Sequence, residues 1–163
     1  MASITEIKGS FENLARPNRF YVTGFGLDRE LQFFAQAASL PASNIGNVEV
    51  PYQGRVIKIP GDRTFDEWTI TVRYDNGDIR RSFEDWMSSI NETVSNIGAN
   101  AVEGYKREGQ VVQLDRAGNS IYEYTFVGAW PSSVGEVSLG WDENDSIATF
   151  DVTLQFDFFQ RSG

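Results

Sequence analysis

The sequence predicts a mainly β fold, in which two antiparallel sheets pack as a sandwich or partly closed barrel with one flanking α-helix. Apolar and polar residues alternate along several segments, as in strands with one buried face. Aromatic residues, which favour strands, make up 13% of the chain. Only one segment has clear helical spacing, and no linker or internal repeat divides the sequence. We therefore expect residues 1–163 to form a single domain.

The first half of the chain predicts strands separated by proline and glycine turns. Strands are expected over Arg19–Phe25 and Glu30–Ser39. The second should end at Leu40-Pro41-Ala42, because a proline cannot donate a ladder hydrogen bond. A hairpin is expected over Asn47–Ile59, with Pro51-Tyr52-Gln53-Gly54 at its turn and Pro60 at its base.

This hairpin is predicted to mediate self-association. Both of its limbs are apolar, and an isolated two-stranded hairpin is marginally stable in water. Its strands therefore need a neighbouring subunit. The candidate interface residues are Val48, Val50, Tyr52, Arg55, Ile57 and Ile59.

The middle of the chain predicts one strand and the helix. The strand Glu67–Tyr74 alternates, with its apolar side chains on one face. The segment Asp78–Asn91 follows turn and N-cap residues and is predicted to be helical. Its apolar stripe consists of Ile79, Phe83, Trp86, Met87 and Ile90. The segment Thr93–Gly109 is rich in Gly, Asn and Ala and is predicted to be a long loop.

Three further strands are expected after this loop. Gln110–Leu114 and Ser120–Gly128 flank the turn residues Arg116–Asn119. The last strand, Thr149–Phe159, alternates most regularly. Its predicted buried face is Phe150, Val152, Leu154, Phe156 and Phe158, and its predicted solvent face is Asp151, Thr153, Gln155 and Asp157.

The composition argues against most catalytic chemistry. The chain contains no cysteine and no histidine, which excludes Ser-His-Asp and Cys-His nucleophile systems. Its net charge is −9, and the stretch from Ala117 to Gln160 contains no Lys or Arg. Such a surface repels phosphate backbones, so we expect no specific binding of nucleic acid. No segment has the length and apolarity of a signal peptide or membrane span.

Several local patterns invite comparison with functional sites. The acidic cluster Asp142–Ser146 does not fit an EF-hand, because Ile147 stands where glycine is required, so a solvated turn is predicted. Asp62, Asp66 and Glu67 could pair as carboxylates but more simply form a charged loop. Gly24-Phe25-Gly26 is predicted to be a turn. Four tryptophans could stack on sugars, although two of them lie on apolar stripes where core packing is the default.

Two blocks of sequence resemble a known family. The stretch Gly61–Val72, GDRTFDEWTITV, and the stretch Trp130–Val137, WPSSVGEV, with its continuation to Leu154, are similar to the major tail tube protein of contractile-tailed, T-even-type bacteriophages. The opening Ala15–Phe20 and the Leu40-Pro41-Ala42 corner resemble the same family. These segments are spread over nearly the whole chain and keep the family's order.

The resemblance implies a structural virion protein without enzymatic activity or cofactor. Its subunits would form stacked hexameric rings, the inner tube of a contractile tail and the conduit for DNA ejection. The implied partners are other copies of the chain, the sheath protein, the tape-measure protein, a baseplate tube initiator and a tail terminator. DNA would pass through the lumen without specific binding, and no membrane would be bound. Assembly would take place in the host cytoplasm.

Within this tube, the polar residues of two elements receive candidate roles. Asp151, Thr153, Gln155 and Asp157 are the candidate lumen-facing residues, and Glu84 and Asp85 on the helix are the candidate sheath-facing residues. Three alternatives stay open. They are a tube subunit of a phage-derived injection system or baseplate initiator, a carbohydrate-binding β-sandwich with exposed tryptophans, and, more remotely, a carboxylate-based hydrolase.

Overall fold

The computed structural model describes residues 18–27, 35–74, 78–92, 104–142 and 146–162, together with the isolated positions 4, 8, 95, 97 and 98. Within these residues the chain forms nine strands and one longer helix. In order they are β1 (Phe20–Gly24), β2 (Ala35–Ala38), β3 (Ser43–Tyr52), β4 (Arg55–Phe65), β5 (Trp68–Arg73), α1 (Asp78–Ile90), β6 (Arg107–Leu114), β7 (Ser120–Val134), β8 (Thr149–Gln155) and β9 (Phe158–Ser162).

The main sheet folds over on itself because strand β7 belongs to two layers. Its strands run in the order β1-β6-β7-β8-β5-β2, and every pairing is antiparallel. The first part of β7 pairs with β6 on one side and β9 on the other, whereas its last residues pair with β8. Gly128, with φ of 69°, lies where β7 passes between the layers. Two packed antiparallel sheets with one helix are as predicted.

The core lies between the layers and is closed by the helix. One layer contributes Val22, Val111 and Phe126; the other contributes Trp68, Ile70, Val72, Phe150, Val152 and Leu154; and α1 contributes Ile79, Phe83 and Trp86. Phe25 sits at the centre, with ring centroids 6.1–6.2 Å from those of Trp68, Trp86 and Phe126. Such tilted aromatic packing adds to the stabilisation from area burial alone.

The turn Gly24-Phe25-Gly26 allows this central packing. Phe25 has a φ of 59°, unusual for a bulky residue, and its ring is fully buried. Its amide donates to the carbonyl oxygen of Glu108 at 2.7 Å. A Cβ atom on Gly109 would overlap the Phe25 ring, so the ring occupies the space that this glycine leaves.

The helix and strand β5 agree with the sequence prediction. Of the predicted stripe of α1, Ile79, Phe83 and Trp86 are buried, whereas Met87 and Ile90 are only partly buried. Trp86 Nε1 donates to the carbonyl oxygen of Tyr105 at 2.6 Å, and the Arg107 guanidinium lies 4.6 Å from the Trp86 ring centroid. In β5 the buried and exposed positions alternate as expected.

Three predicted boundaries were wrong. Strand β6 begins at Arg107, inside the segment predicted to be a loop. Strand β7 continues past Gly128 through Pro131 to Val134, because its end is paired with β8 in the second layer. Strand β4 continues through Pro60 to Phe65, so this proline lies within the strand and not at the hairpin base.

The predicted final strand Thr149–Phe159 is in fact two strands. It breaks after Gln155, where the amide of Asp157 donates to the carbonyl oxygen of Val127 at 3.0 Å. In β9, Phe159 is paired with the buried Phe126 and packs against the core. Phe158 points the other way and is 40% exposed, which corrects its predicted place on the buried face.

Candidate functional site

The hairpin β3–β4 stands apart from the body of the protein as a separate two-stranded sheet. Nearly all of its residues are exposed. Gln53 and Gly54 have positive φ values of 46° and 78°, which match a two-residue type I′ turn. Ten residues of strand at about 3.3 Å per residue give an arm roughly 33 Å long.

The six predicted interface residues all lie on one face of this arm. The register pairs Val48 with Ile59, Val50 with Ile57 and Tyr52 with Arg55. Directly paired residues share a face, and so do residues two apart on one strand. The five apolar side chains among them are between 40% and 61% exposed. We call these six residues the apolar face of the hairpin.

The two prolines of the hairpin lie on its outer edges. Counting from the two-residue turn, Tyr52–Arg55 is a hydrogen-bonded pair, and hydrogen-bonded and non-hydrogen-bonded pairs then alternate. Pro51 and Pro60 both fall at non-hydrogen-bonded positions, where a backbone N–H would point away from the partner strand. Each edge therefore lacks a donor that an added strand would need.

A second candidate surface is the polar face of β5 and β8. Thr71 Oγ1 donates to Asp151 Oδ1 at 2.7 Å, and the hydroxyls of Thr69 and Thr153 are 3.2 Å apart. Gln155 Nε2 donates to the carboxylate of Glu67 at 3.2 Å. The structure thus brings three of the four predicted lumen-facing residues into one row.

Asp157 does not belong to this row, because it follows the break between β8 and β9. Its carboxylate accepts two hydrogen bonds from Lys106 Nζ, at 2.8 and 2.9 Å. A Cβ atom on Gly128 would overlap the same carboxylate. Asp157 therefore fastens the segment before β6 to the bend of β7, a role that strand alternation could not indicate.

The predicted sheath-facing residues lie on the exposed side of α1. Glu84 and Asp85 are both exposed. Arg80 links the helix to the body: its Nε is 3.0 Å from Glu84 Oε1, and its Nη1 donates to the carbonyl oxygen of Gly135 at 2.6 Å. The guanidinium also lies 5.3 Å from the Phe150 ring centroid. This side of the helix is charged and held in place.

Sequence reasoning missed an apolar surface in the connection between β7 and β8. Leu139, Trp141 and Ile147 are 82%, 99% and 70% exposed. The segment lies outside any strand and its apolar residues follow no regular spacing, so the sequence does not indicate which of them are exposed. In the sequence, Trp141 is one of four tryptophans that could stack on sugars, and it lies within the block Trp130–Leu154 on which the family resemblance rests.

No catalytic or metal site emerges from the described part of the chain. Among these residues there is no group of three His, Cys, Asp or Glu side chains that could hold a metal ion. The carboxylates of Asp66 and Glu67 accept hydrogen bonds from Asn44 and Gln155 and are exposed, as expected for a charged loop, whereas Asp62 lies within strand β4. Residues 143–145 of the acidic turn lie outside the described residues. None of the described helices has the length and apolarity to cross a membrane.

Comparison with known proteins decides the family. A sequence model of the family described as phage tail tube protein matches residues 4–162. The chain belongs to this family. It is 36% identical over 161 residues to the tail tube protein gp19 of Enterobacteria phage T4, covering 96% of this chain and 99% of that protein. It is 29% identical over 168 residues to a tail tube protein of Serratia phage KSP90, covering 96% and 95%. The resemblance carried by Gly61–Val72 and Trp130–Leu154 is thereby confirmed.

Solved structures of contractile injection systems share the fold of this phage tail tube protein. A chain from the PVC sheath/tube terminator in the extended state matches with a TM-score of 0.71 and 20% identity, covering 92% of this chain and 97% of that one. A chain from the anti-feeding prophage cap matches with a TM-score of 0.67 and 24% identity, covering 91% of each. A chain from the PVC sheath-tube complex in the extended state matches with a TM-score of 0.66 and 21% identity, covering 100% and 99%. At these identities the likeness shows the fold alone.

Proposed function

We propose that this tail tube protein is a non-enzymatic subunit that assembles into stacked hexameric rings, forming the inner tube of a contractile tail through which DNA passes. The observation that carries this proposal is the hairpin β3–β4. It is a long arm with an apolar face and belongs to no other sheet in the described chain. Together with family membership, it indicates a protein that is completed by copies of itself.

The apolar face of the hairpin needs a cover. Burying one such side chain fully contributes about 1.5–3 kcal/mol, and these side chains are only about half buried in the single chain. Contiguous exposed apolar patches on soluble proteins commonly mark interaction sites. A second copy that covers the face would stabilise both the assembly and the arm, which is marginal alone.

Ring closure would also occupy the edges of the main sheet. Within the described chain, strand β9 pairs only with β7, β1 only with β6, and the short β2 only with β5. Each leaves one edge with backbone groups that a neighbouring copy could pair. Closed rings remove such edges, which otherwise promote uncontrolled strand addition.

The polar face of β5 and β8 is our candidate for the lumen wall. Asp151, Thr153 and Gln155 form its central row, and Glu67 adds a second carboxylate. The residues from 117 to 160 contain no Lys or Arg. Arg73, at the end of β5, is the one basic residue of these two strands on this face. The carboxylates of Asp151 and Glu67 outnumber it, so the wall gives DNA little counterion-release drive to bind, and DNA and a tape-measure protein could slide along it. Asp157 follows the break after β8 and is ion-paired with Lys106, so we leave it out of the proposed wall.

The outer surface would carry the partners of the tube. Glu84 and Asp85 on α1 are our candidates for contact with the sheath protein. Support comes from the structural relatives, which belong to a sheath/tube terminator, a tube-terminating cap, a sheath-tube complex and a baseplate. We extend the same partner classes to this protein, together with assembly in the host cytoplasm.

A second candidate function is a tube subunit of a phage-derived injection system or a baseplate tube initiator. The TM-scores of 0.66–0.71 to injection-system chains favour it. The 36% identity to a phage T4 tail tube protein over nearly the whole chain favours the phage tail. A carbohydrate-binding module is disfavoured, because Trp68 and Trp86 are buried in the core.

Electron microscopy of the concentrated purified protein tests the proposal. We expect hollow tubes with sixfold end views. Replacing Val50 and Ile57 with Asp should leave folded monomers that form no tubes. The matched control replaces Glu49 and Lys58, a cross-strand pair on the opposite face, with Ser and should assemble normally. Dispersed wild-type monomers at every concentration, with no tubes, would contradict the proposed self-assembly.

A further inference from the structure

The connection between β7 and β8 presents apolar side chains to water without any covering element in the described chain. Leu139, Trp141 and Ile147 are all at least 70% exposed. Trp141 differs from the other three tryptophans, since Trp68 and Trp86 are buried and Trp130 is partly buried. A fully exposed tryptophan is an anchor of the kind that dominates protein–protein interfaces.

This loop and the hairpin leave the same sheet at opposite ends. The loop is held where β5 finishes: the amide of Tyr74 donates to the carbonyl oxygen of Ala148 at 2.8 Å, and Arg73 is paired with Thr149. The hairpin leaves where β5 begins, because β4 ends at Phe65 and Trp68 is paired with Leu154. One apolar surface therefore lies at each end of the β5–β8 strand pair.

Two different surfaces at opposite ends favour head-to-tail association. When copies follow one another along the strand direction, the loop of one copy approaches the hairpin of the next. Contacts of this heterologous kind do not close on themselves in that direction and generate open stacks. The same arrangement would join each ring of a tube to the ring beside it.

We propose that Trp141 of one copy docks on the apolar face of the β3–β4 hairpin of a second copy in the adjacent ring. This inference rests on the proposed function as a stacked tube subunit. The prolines on both edges of the hairpin block strand addition there, so the face is the surface left for docking. Trp141 would supply a large apolar side chain to cover Val50 and Ile57, the smaller side chains paired in the middle of the apolar face.

Charge supports the pairing of these two surfaces. The loop from residue 135 to residue 148 contains four acidic residues and no basic residue, whereas the hairpin from 43 to 65 contains three basic and two acidic residues. Asp142 directly follows Trp141 and is exposed. Arg55 lies on the apolar face next to the hairpin tip. Docking of the tryptophan therefore brings opposite charges together at the rim of the contact.

A competing receptor at the hairpin end of the sheet fits the loop less well. A groove of about 760 Å³ lies between α1 and the end of β7, with Met87, Ile90 and Trp130 in its lining. Glu84 and Glu92 line the same groove. These carboxylates repel an acidic loop, so charge selects the hairpin as the receptor.

Fluorescence quenching of the wild-type protein tests whether Trp141 is covered on assembly. Acrylamide quenching is measured on dilute protein without tubes and on pelleted tubes, for wild type and for Trp141→Phe. The difference between the two proteins isolates the signal of Trp141. We expect its quenching to fall at least fivefold in tubes. Tubes in which Trp141 stays as accessible as in dilute protein overturn the inference.

Exchanging the charges of Arg55 and Asp142 tests whether the hairpin is the receptor for the loop. Arg55→Asp and Asp142→Arg should each lower the pelleted fraction at limiting concentration about tenfold, and the double variant should recover it. The control combines Asp142→Arg with Arg116→Asp, an exposed arginine in the β6–β7 turn, and should not recover. A double variant no better than the weaker single variant overturns the pairing. Failure of the wild type to form tubes would instead overturn the proposed function on which the inference rests.

Discussion

Replacing Trp86 with Ala should destabilise the monomer by about 3–5 kcal/mol, the range for removing a fully buried aromatic side chain. Trp86 is 1% exposed, and its ring lies 6.2 Å from Phe25 and 6.5 Å from Phe83, measured between centroids. The substitution leaves a cavity where the helix meets the sheets. It also removes the donor to the Tyr105 carbonyl oxygen and the ring beneath the Arg107 guanidinium. Tyr105 is only partly buried, so water can replace the lost donor and the cavity dominates the cost.

Urea unfolding of dilute, unassembled protein measures this change directly. At the size of this chain the loss corresponds to a melting temperature about 6–20 °C lower. Trp141→Ala is the matched control, because it removes the same side chain from a position that is 99% exposed. Its unfolding free energy should change by less than about 0.5 kcal/mol. Equal stability of the wild type and Trp86→Ala would refute the assignment of this helix face to the core.

Three further outcomes are expected. Backbone hydrogen bonds, the largest from the amide of Asn119, lower the pKa of Asp115 in the β6–β7 turn. The stabilisation that the Asp115 carboxylate contributes is therefore full above its pKa in the unfolded chain and is lost as pH falls through its lower pKa in the folded chain. The melting temperature of the wild type should exceed that of Asp115→Asn by more at pH 7 than at pH 3. Glu84→Lys with Asp85→Lys should preserve folding and tubes, since an exposed ion pair contributes at most about 1 kcal/mol, but should weaken co-sedimentation with sheath protein. Asp151→Lys should assemble yet slow DNA ejection at low salt, with recovery at high salt where charges are screened; a normal rate at low salt would argue against its lumenal position.

The sequence was sufficient to predict an element and its buried residues where that element packs a single face against the core. Helix α1 and strand β5 each repeat apolar residues at their own period, because one side of β5 and one side of α1 from Ile79 to Trp86 pack against the same core. The sequence also predicted the β3–β4 hairpin correctly, for a related reason. Its apolar positions alternate on both limbs, and the Gln53-Gly54 turn fixes the register that aligns them.

The sequence prediction was wrong where a strand passes from one layer to the other, and where the alternation of buried and exposed residues shifts by one position. Strand β7 serves two layers, so its continuation through Pro131 depends on pairing with β8, about twenty residues further along the chain. The alternation after Gln155 shifts at Asp157, where the chain is held by Lys106 and by Val127. Neither contact is visible in local periodicity. The space for Phe25 is likewise created by Gly109, far away in sequence.

The structure of the hairpin reconciles two opposing requirements of a self-assembling arm. It must present enough apolar surface to bind a neighbour, yet an exposed strand edge invites unlimited addition of further strands. Pro51 and Pro60 remove a donor from each outer edge while leaving the apolar face intact. A proline at a hydrogen-bonded position would instead have removed a hydrogen bond between the two strands of the hairpin. The arm can therefore bind through its face, where shape and charge limit the partner, and resists binding through its edges, where any extended chain could pair.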